Sequence, residues 1–270
     1  MVIIMVLISS ILSFFLVISL LPLLKKGFLR QNYRGKTIPS GLGIIMVLSH
    51  LLLTLPLIIA AGGEDAWLII YKLFLILGIS QAGIIDDFLG DRNRGFYGHF
   101  LCLMKKGELT SGLIKVTAGG ILGLLTAYLV GGPPYLLILN ALLFPLTVNT
   151  FNLLDVRPGR SLKAFIFLSF LLFLWVDEGL FLVLTPVLGA AIILFPLDLQ
   201  EEGMLGDVGS NLLGASLGFI LVLVLDYRVK ALLVPVLVIL QWRGDKVSLT
   251  RLIEKNYLLN YFDNLGRKQT

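Results

Sequence analysis

The stretch VTAGGILGLLTAYLVGGPPYLLILNALLFPLTVNTFNLL, Val116 to Leu154, runs 39 residues without a charged side chain. A helix rises about 1.5 Å per residue, so roughly 20 apolar residues cross the hydrocarbon of a bilayer, and this run is about twice that length. Gly131, Gly132, Pro133 and Pro134 fall near its middle, where proline withdraws an amide donor and glycine permits a reversal. The stretch therefore reads as two membrane helices joined by a tight hairpin.

Working outward, similar apolar stretches recur along the 270 residues, of which 57% are hydrophobic and 14% charged, with mean hydropathy +0.93. A water-soluble core is excluded by that composition. Turn clusters and charges bound spans near residues 3–24, 41–61, 66–85, 112–131, 134–154, 161–176, 179–197, 209–225 and 229–242. The expected architecture is an all-α polytopic transmembrane bundle of about nine spans, nine to ten, forming one domain over residues 1–242. Residues 1–24 lack a basic leader and a small-residue cleavage site, so they read as a retained first span. The tail at 243–270 places Leu249, Leu252, Ile253, Leu259, Phe262 and Leu265 roughly on one helical face among charges, which predicts an interfacial amphipathic helix.

An odd number of spans divides the loops into two groups. One group holds 19 of the 22 Lys and Arg residues, which makes it the cytoplasmic face and puts the N-terminus outside, in the cell membrane. The formal charge of +5 is accounted for by this topology and by anionic lipid headgroups, and it argues against a nucleic-acid partner. One cysteine, Cys102, excludes an internal disulfide framework, and two scattered histidines, His50 and His99, argue against a histidine-rich metal site. Any chemistry falls to carboxylates, amides and lysines.

Those residues gather at span ends on the basic face. Asp86 and Asp87 close the third span in GIIDDFLGDR, ahead of Asp91, Arg92 and Arg94. Adjacent carboxylates suit a hard divalent cation carrying a diphosphate, although a charged span boundary is the alternative. Asn149, Asn152 and Asp155 end the fifth span at three-residue spacing, so they share one side of its last turns. They either hold a ligand or make helix-to-helix hydrogen bonds and a cap. In GMLGDVGSNLLGASLG, Asp207 follows Gly206 at the head of a helix carrying Gly209, Gly214 and Gly218. Those glycines predict close helix packing, and Asp207 is either a helix cap or a metal ligand at a phosphate site. Lys36 in KTIPSGLGII and Lys115 at the head of the fourth span lie on the same face, and each alone reads most simply as part of a turn into a span and as a snorkelling lysine, respectively. Their arrival on one face, with none on the other, makes a shared intramembrane site the simplest account.

Taken in order, PSGLG at 39–43, DDFLG at 86–90, Lys115, NTFNLLD at 149–155 and GDVGS at 206–210 resemble the motifs of the polyprenyl-phosphate N-acetylhexosamine-1-phosphate transferases. The resemblance covers most of the chain. It implies a membrane enzyme of cell-envelope glycan synthesis that moves a sugar phosphate from a UDP-sugar to undecaprenyl phosphate, releases UMP and uses Mg²⁺. It further implies Asp207 and Asp87 as metal ligands, Asp86 as a candidate base and Lys115 as a counter-charge to phosphate. Asn149, Asn152, Asp155, Gly206 and Lys36 would bind substrate, and a homodimer is the family-level expectation.

Two departures stand out. Family members follow the fifth-span Asp with glycine and a second acid three positions on, whereas Val156, Arg157, Pro158 and Gly159 come here. Pro158 occupies the acid's place, and Arg157, Arg160 and Lys163 make the loop basic. Members also carry a histidine-rich loop, and nothing after His99 is a histidine. A simple UDP-N-acetylhexosamine is therefore the expected donor. The rival readings are an intramembrane prenyltransferase, which would need a second Asp-rich motif, and a transporter or catalytically lapsed relative.

Overall fold

The computed structural model describes residues 1–61, 63–89, 110–246 and 249–267, without the side chains of residues 61, 64, 65, 86–89 and 244–246. The run Asp91, Arg92 and Arg94, together with His99 and Cys102, lies outside the described residues. The chain is an all-α membrane bundle with one small hairpin. Helix α1 (Val2–Gly27) leads into strands β1 (Leu29–Gln31) and β2 (Thr37–Pro39), then α2 (Leu42–Ala61), α3 (Gly63–Leu89), α4 (Ser111–Val130) and α5 (Pro134–Leu154). Helices α6 (Arg160–Phe173), α7 (Glu178–Leu182), α8 (Thr185–Leu199), α9 (Gly206–Val224), α10 (Tyr227–Lys246), α11 (Leu249–Lys255) and α12 (Tyr257–Asn264) follow.

Among the described residues, six helices are long and apolar enough to cross a membrane: α1 to α5 and α9. Their outward faces carry large exposed apolar side chains, among them Ile3, Ile4, Phe15, Ile121, Leu124 and Tyr128. Such a surface is stable against lipid and not against water. The uncharged 39-residue run breaks where the sequence indicates. Gly131 caps α4 with a φ of 70°, and Pro133 and Pro134 start α5 where their missing amide donors cost nothing.

The expected seventh span, 179–197, is two helices. Pro186 sits in the first turn of α8 and has no amide to give the Leu182 carbonyl, so the helix parts after α7. The Thr185 hydroxyl takes up that carbonyl at 2.7 Å, and the Lys72 ammonium of α3 donates to the next one, Val183. The tail is likewise two helices, α11 and α12, because the Asn256 side chain caps a fresh helix by accepting from Leu259 N–H.

Helix α9 runs through the centre of the bundle, with its side chains buried from Val208 to Ile220. Its glycines determine how closely its neighbours approach. A Cβ on Gly43 of α2 would lie 2.2 Å from Gly209 N, and one on Gly214 would lie 2.6 Å from Val148 Cα of α5. The expected small-residue packing is therefore present and extends to α2 through Gly43.

Candidate active site

Eight helix ends meet at one end of the bundle, where α1, α3, α5 and α8 finish and α2, α4, α6 and α9 begin. The segment from Ser40 to Gly43 docks on the approach to α9 through backbone bonds. Met204 N–H donates to Pro39 O (2.7 Å), Leu42 N–H to Met204 O (3.0 Å) and Gly43 N–H to Leu205 O (3.0 Å). Gly206, at a φ of 73° that other residues rarely adopt, turns the chain into α9. Asp207 follows in the first turn, where a carboxylate is favoured by the helix dipole.

Thr110 caps α4 by accepting from Leu113 N–H, which puts Lys115 in the first turns of that helix. Lys115 Nζ reaches Asp207 Oδ2 at 3.0 Å, with the lysine side chain 11% and the aspartate 26% exposed. One turn further along α9, the Ser210 hydroxyl donates to Asn152 Oδ1 at 3.2 Å. Asp155 ends α5 as its C-cap. A cleft of about 340 Å³ opens beside these groups, lined by Ser40, Asp155, Arg157, Asp198, Gly206 and Asp207 among others.

The structure thus brings together Asp207, Lys115, Asn152, Asp155 and Gly206 from three separate helices. Asn149 lies one turn deeper in α5, half-buried, and does not line the cleft. Lys36 is exposed in the β1–β2 turn, where its N–H donates to Asn32 Oδ1 (3.0 Å), and it too lies off the cleft wall. The side chains of Asp86 and Asp87 lie outside the described residues. Their backbone forms the last turn of α3, one turn beyond Gly83, whose Cβ position is 2.9 Å from Asp207 O.

Three features of the cleft were not anticipated from sequence. The β1–β2 hairpin forms one wall, with Leu29 paired to Pro39 and Gln31 to Thr37. At its tip Tyr33 receives the Arg157 guanidinium on its ring face at 4.2 Å, and Asn32 donates to Glu201 Oε2 at 2.8 Å. Asp198, buried at the end of α8, accepts from Gly159 N–H (2.7 Å) and Leu205 N–H (3.3 Å). The acids in PLDLQEEG were the available signal, an unpaired Asp at the end of an apolar helix.

The basic loop after α5 divides in its roles. Arg157 reaches the cleft, whereas Arg160 and Lys163 are taken up by the tail. Arg160 makes a two-point pair with Asp263 at 2.7 Å per contact and donates to Thr250. Lys163 donates to three tail carbonyls, those of Phe262, Asp263 and Leu265. Burial pushes the Asp263 pKa up, but the hydrogen bonds and charges of Arg160 and Arg267 outweigh it and hold the carboxyl below its ordinary range.

Oxygen donors in this arrangement fit a hard cation. Among the described residues no group of three or more His, Cys, Asp or Glu forms a metal cage, and Mg²⁺ bound with phosphates needs only one or two carboxylates. Asp207 and Asp155 line the same cleft and offer that donor chemistry. No protein-family model matches the chain, and no curated protein does so either.

Proposed function

We propose that the chain is a Mg²⁺-dependent phosphoglycosyl transferase that moves a sugar-1-phosphate, N-acetylhexosamine-1-phosphate in the simplest case, from a UDP-sugar to undecaprenyl phosphate. The observation that carries the proposal is the Lys115–Asp207 pair at the head of the central helix, beside a cleft lined by Asp207 and Asp155, with Asn152 held by Ser210 one turn along that helix. The resemblance of the five ordered motifs supplies the reaction. In it, a lipid phosphate oxygen forms a bond to the sugar-linked phosphorus, the bond to the bridging oxygen breaks, and that oxygen leaves with its electron pair on UMP.

Both reactants are anions, so the residues must chiefly neutralise and align charge. Asp207 and, by the resemblance, Asp87 would hold Mg²⁺, whose contribution is to neutralise the diphosphate. Lys115 keeps Asp207 in position and brings a positive charge toward the phosphates. The opening turn of α9 presents backbone N–H groups to the same charge. Asn152 and Asp155 orient the donor, with Arg157 as a basic group near it. The lipid phosphate is already largely ionised near neutral pH, so Asp86 is needed more for alignment than as a base.

In this reading the bundle crosses the cell membrane nine times with the cleft facing the cytoplasm, in keeping with the placement of Lys and Arg. The alternatives are a transporter, a lapsed relative and an intramembrane prenyltransferase. The test is to incubate the purified protein with undecaprenyl phosphate, Mg²⁺ and each of a panel of UDP-sugars, reading UMP release and lipid product mass. Metal-dependent UMP release that disappears in Asp207→Asn supports the transferase. Unchanged turnover in that variant removes Asp207 from the metal site, and the absence of UMP with every donor turns the reading toward the alternatives.

A further inference from the structure

At the end of the bundle opposite the cleft, α1, α2, α3 and the α7–α8 break enclose a second cavity of about 470 Å³. Its floor is polar and cationic in an otherwise apolar chamber. Lys72 and His50 are each 1% exposed there and Thr54 is 2% exposed. Its walls are Leu57, Leu68 and Leu180, and Ala60 stands at the mouth.

The depth follows from the helices. Lys72 lies nine residues into α3 from Gly63, so its backbone sits about 13 Å below that end. His50 lies eleven residues from Ala61 at the end of α2, about 16 Å below it. The floor is therefore near mid-bundle.

One hydrogen bond occupies the Lys72 ammonium, that to the Val183 carbonyl at the α7–α8 break. An ammonium carries three donors, so two remain for the chamber. His50 has only long contacts, 3.4 and 3.5 Å, to the Thr54 hydroxyl. Among the described residues no carboxylate pairs with Lys72 within 4 Å. Asp177, at the mouth, already caps α7 through Leu180 N–H. A buried cation without an anion is costly, and an ionisable group this deep in a membrane bundle marks a site by default.

The geometry points to a binding site for an amphipathic monocarboxylate, seated head first with its acid group on Lys72 and His50 and its hydrocarbon against Leu57, Leu68 and Leu180. A cationic floor under apolar walls selects one negative charge on an apolar body. A bilayer phospholipid does not satisfy it, because in its normal posture the headgroup rests at the mouth and the acyl chains lie at the floor. The occupant is an acid delivered from the membrane interface or the solution on that side. The site is independent of the cleft and its chemistry.

The test uses full-length protein in neutral phosphatidylcholine nanodiscs with dansyl-undecanoic acid as probe and its uncharged alcohol as control. The expected result is saturable one-site binding of the acid, with the alcohol weaker by roughly thirtyfold, as the loss of a buried charge partner requires. Lys72→Met should abolish the preference for acid, and Leu57→Trp, which adds bulk to the apolar wall, should weaken the binding of both. Where Lys72→Met does not fold because Val183 loses its donor, the acid-to-alcohol ratio and the Leu57→Trp variant decide alone. Equal binding of acid and alcohol, no saturable binding, or an unaffected Leu57→Trp variant overturns the proposal. Displacement of the probe by phosphatidylglycerol and not by unlabelled lauric acid assigns the site to a bilayer lipid and equally overturns it.

Discussion

Adding one methyl group to Gly43 should unseat the central helix. The new Cβ would lie 2.2 Å from Gly209 N, 2.6 Å from Gly209 Cα and 2.8 Å from Leu205 O. All three are backbone atoms, so no side chain can swing aside, and α2 and α9 must separate by about 1 Å. Overpacking of that kind costs about 1–3 kcal/mol. At roughly 2–4 °C per kcal/mol for a chain near this size, the middle of the range lowers the melting temperature by about 4–8 °C. The same displacement moves Asp207 relative to Lys115, and a shift of about 1 Å in a reacting group costs on the order of 100-fold in turnover. Gly120→Ala is the matched control. It makes the same chemical change in the interior of α4, where the added Cβ meets nothing within 4 Å, and it should stabilise by about 0.5–1 kcal/mol. Melting of the detergent-solubilised protein by intrinsic fluorescence, with UMP release alongside, reads both variants. If Gly43→Ala melts within a degree of the parent and turns over fully, the close approach of α2 and α9 is refuted.

Lys115→Met should reduce UMP release by about 100- to 1,000-fold, as expected for the loss of one preorganised charge partner, while leaving the melting temperature nearly unchanged; a wild-type rate removes the lysine from the site. Tyr33→Ala deletes the ring under Arg157, an interaction worth about 0.5–1 kcal/mol, and should raise the donor KM severalfold with kcat unchanged, whereas a fall in kcat alone contradicts a role in donor binding. Asp263→Asn leaves Arg160 buried beside a neutral amide and should release the tail, measured as faster proteolysis after α10; breaking one partner of a buried pair costs about 3–5 kcal/mol. In the parent, Asp263 has a lowered pKa in the folded state, so its contribution is fully present above the ordinary carboxylate value near 4 and is lost only as pH falls through the lower, folded value. Tail protection should therefore be flat from pH 7 to about 5 and decline in stronger acid, and a decline between pH 7 and 6 would assign the latch to another group.

The bundle was legible because the bilayer imposes length and apolarity on every crossing, and α5 begins and ends where the run through Val116 and Leu154 requires. The break before Thr185 was not, because hydropathy averages over Pro186 and a donor from another helix, Lys72, repairs the exposed carbonyl. Lys115, Asn152 and Asp207 were readable as a group because polar residues at span ends have few places to go. The hairpin from Leu29 to Pro39 was not readable, since three-residue strands lack a periodicity and their pairing is fixed by docking on Met204. Lys36 shows the converse: proximity in sequence to the docked PSGLG segment suggested a place in the cleft, and the β1–β2 turn holds it off the cleft wall.

Asp198 has a mechanical meaning beyond its two hydrogen bonds. One oxygen holds the loop that carries Asp155 and Arg157, and the other holds the residue before Gly206 and Asp207. The two halves of the cleft's inner wall are thus riveted at a single carboxylate and must travel as one rigid plate. The opposite wall is the β1–β2 hairpin, tied to that plate at its tip by the Tyr33–Arg157 stack and the Asn32–Glu201 bond and at its base by Met204 N–H on Pro39 O, so the cleft is braced on both sides.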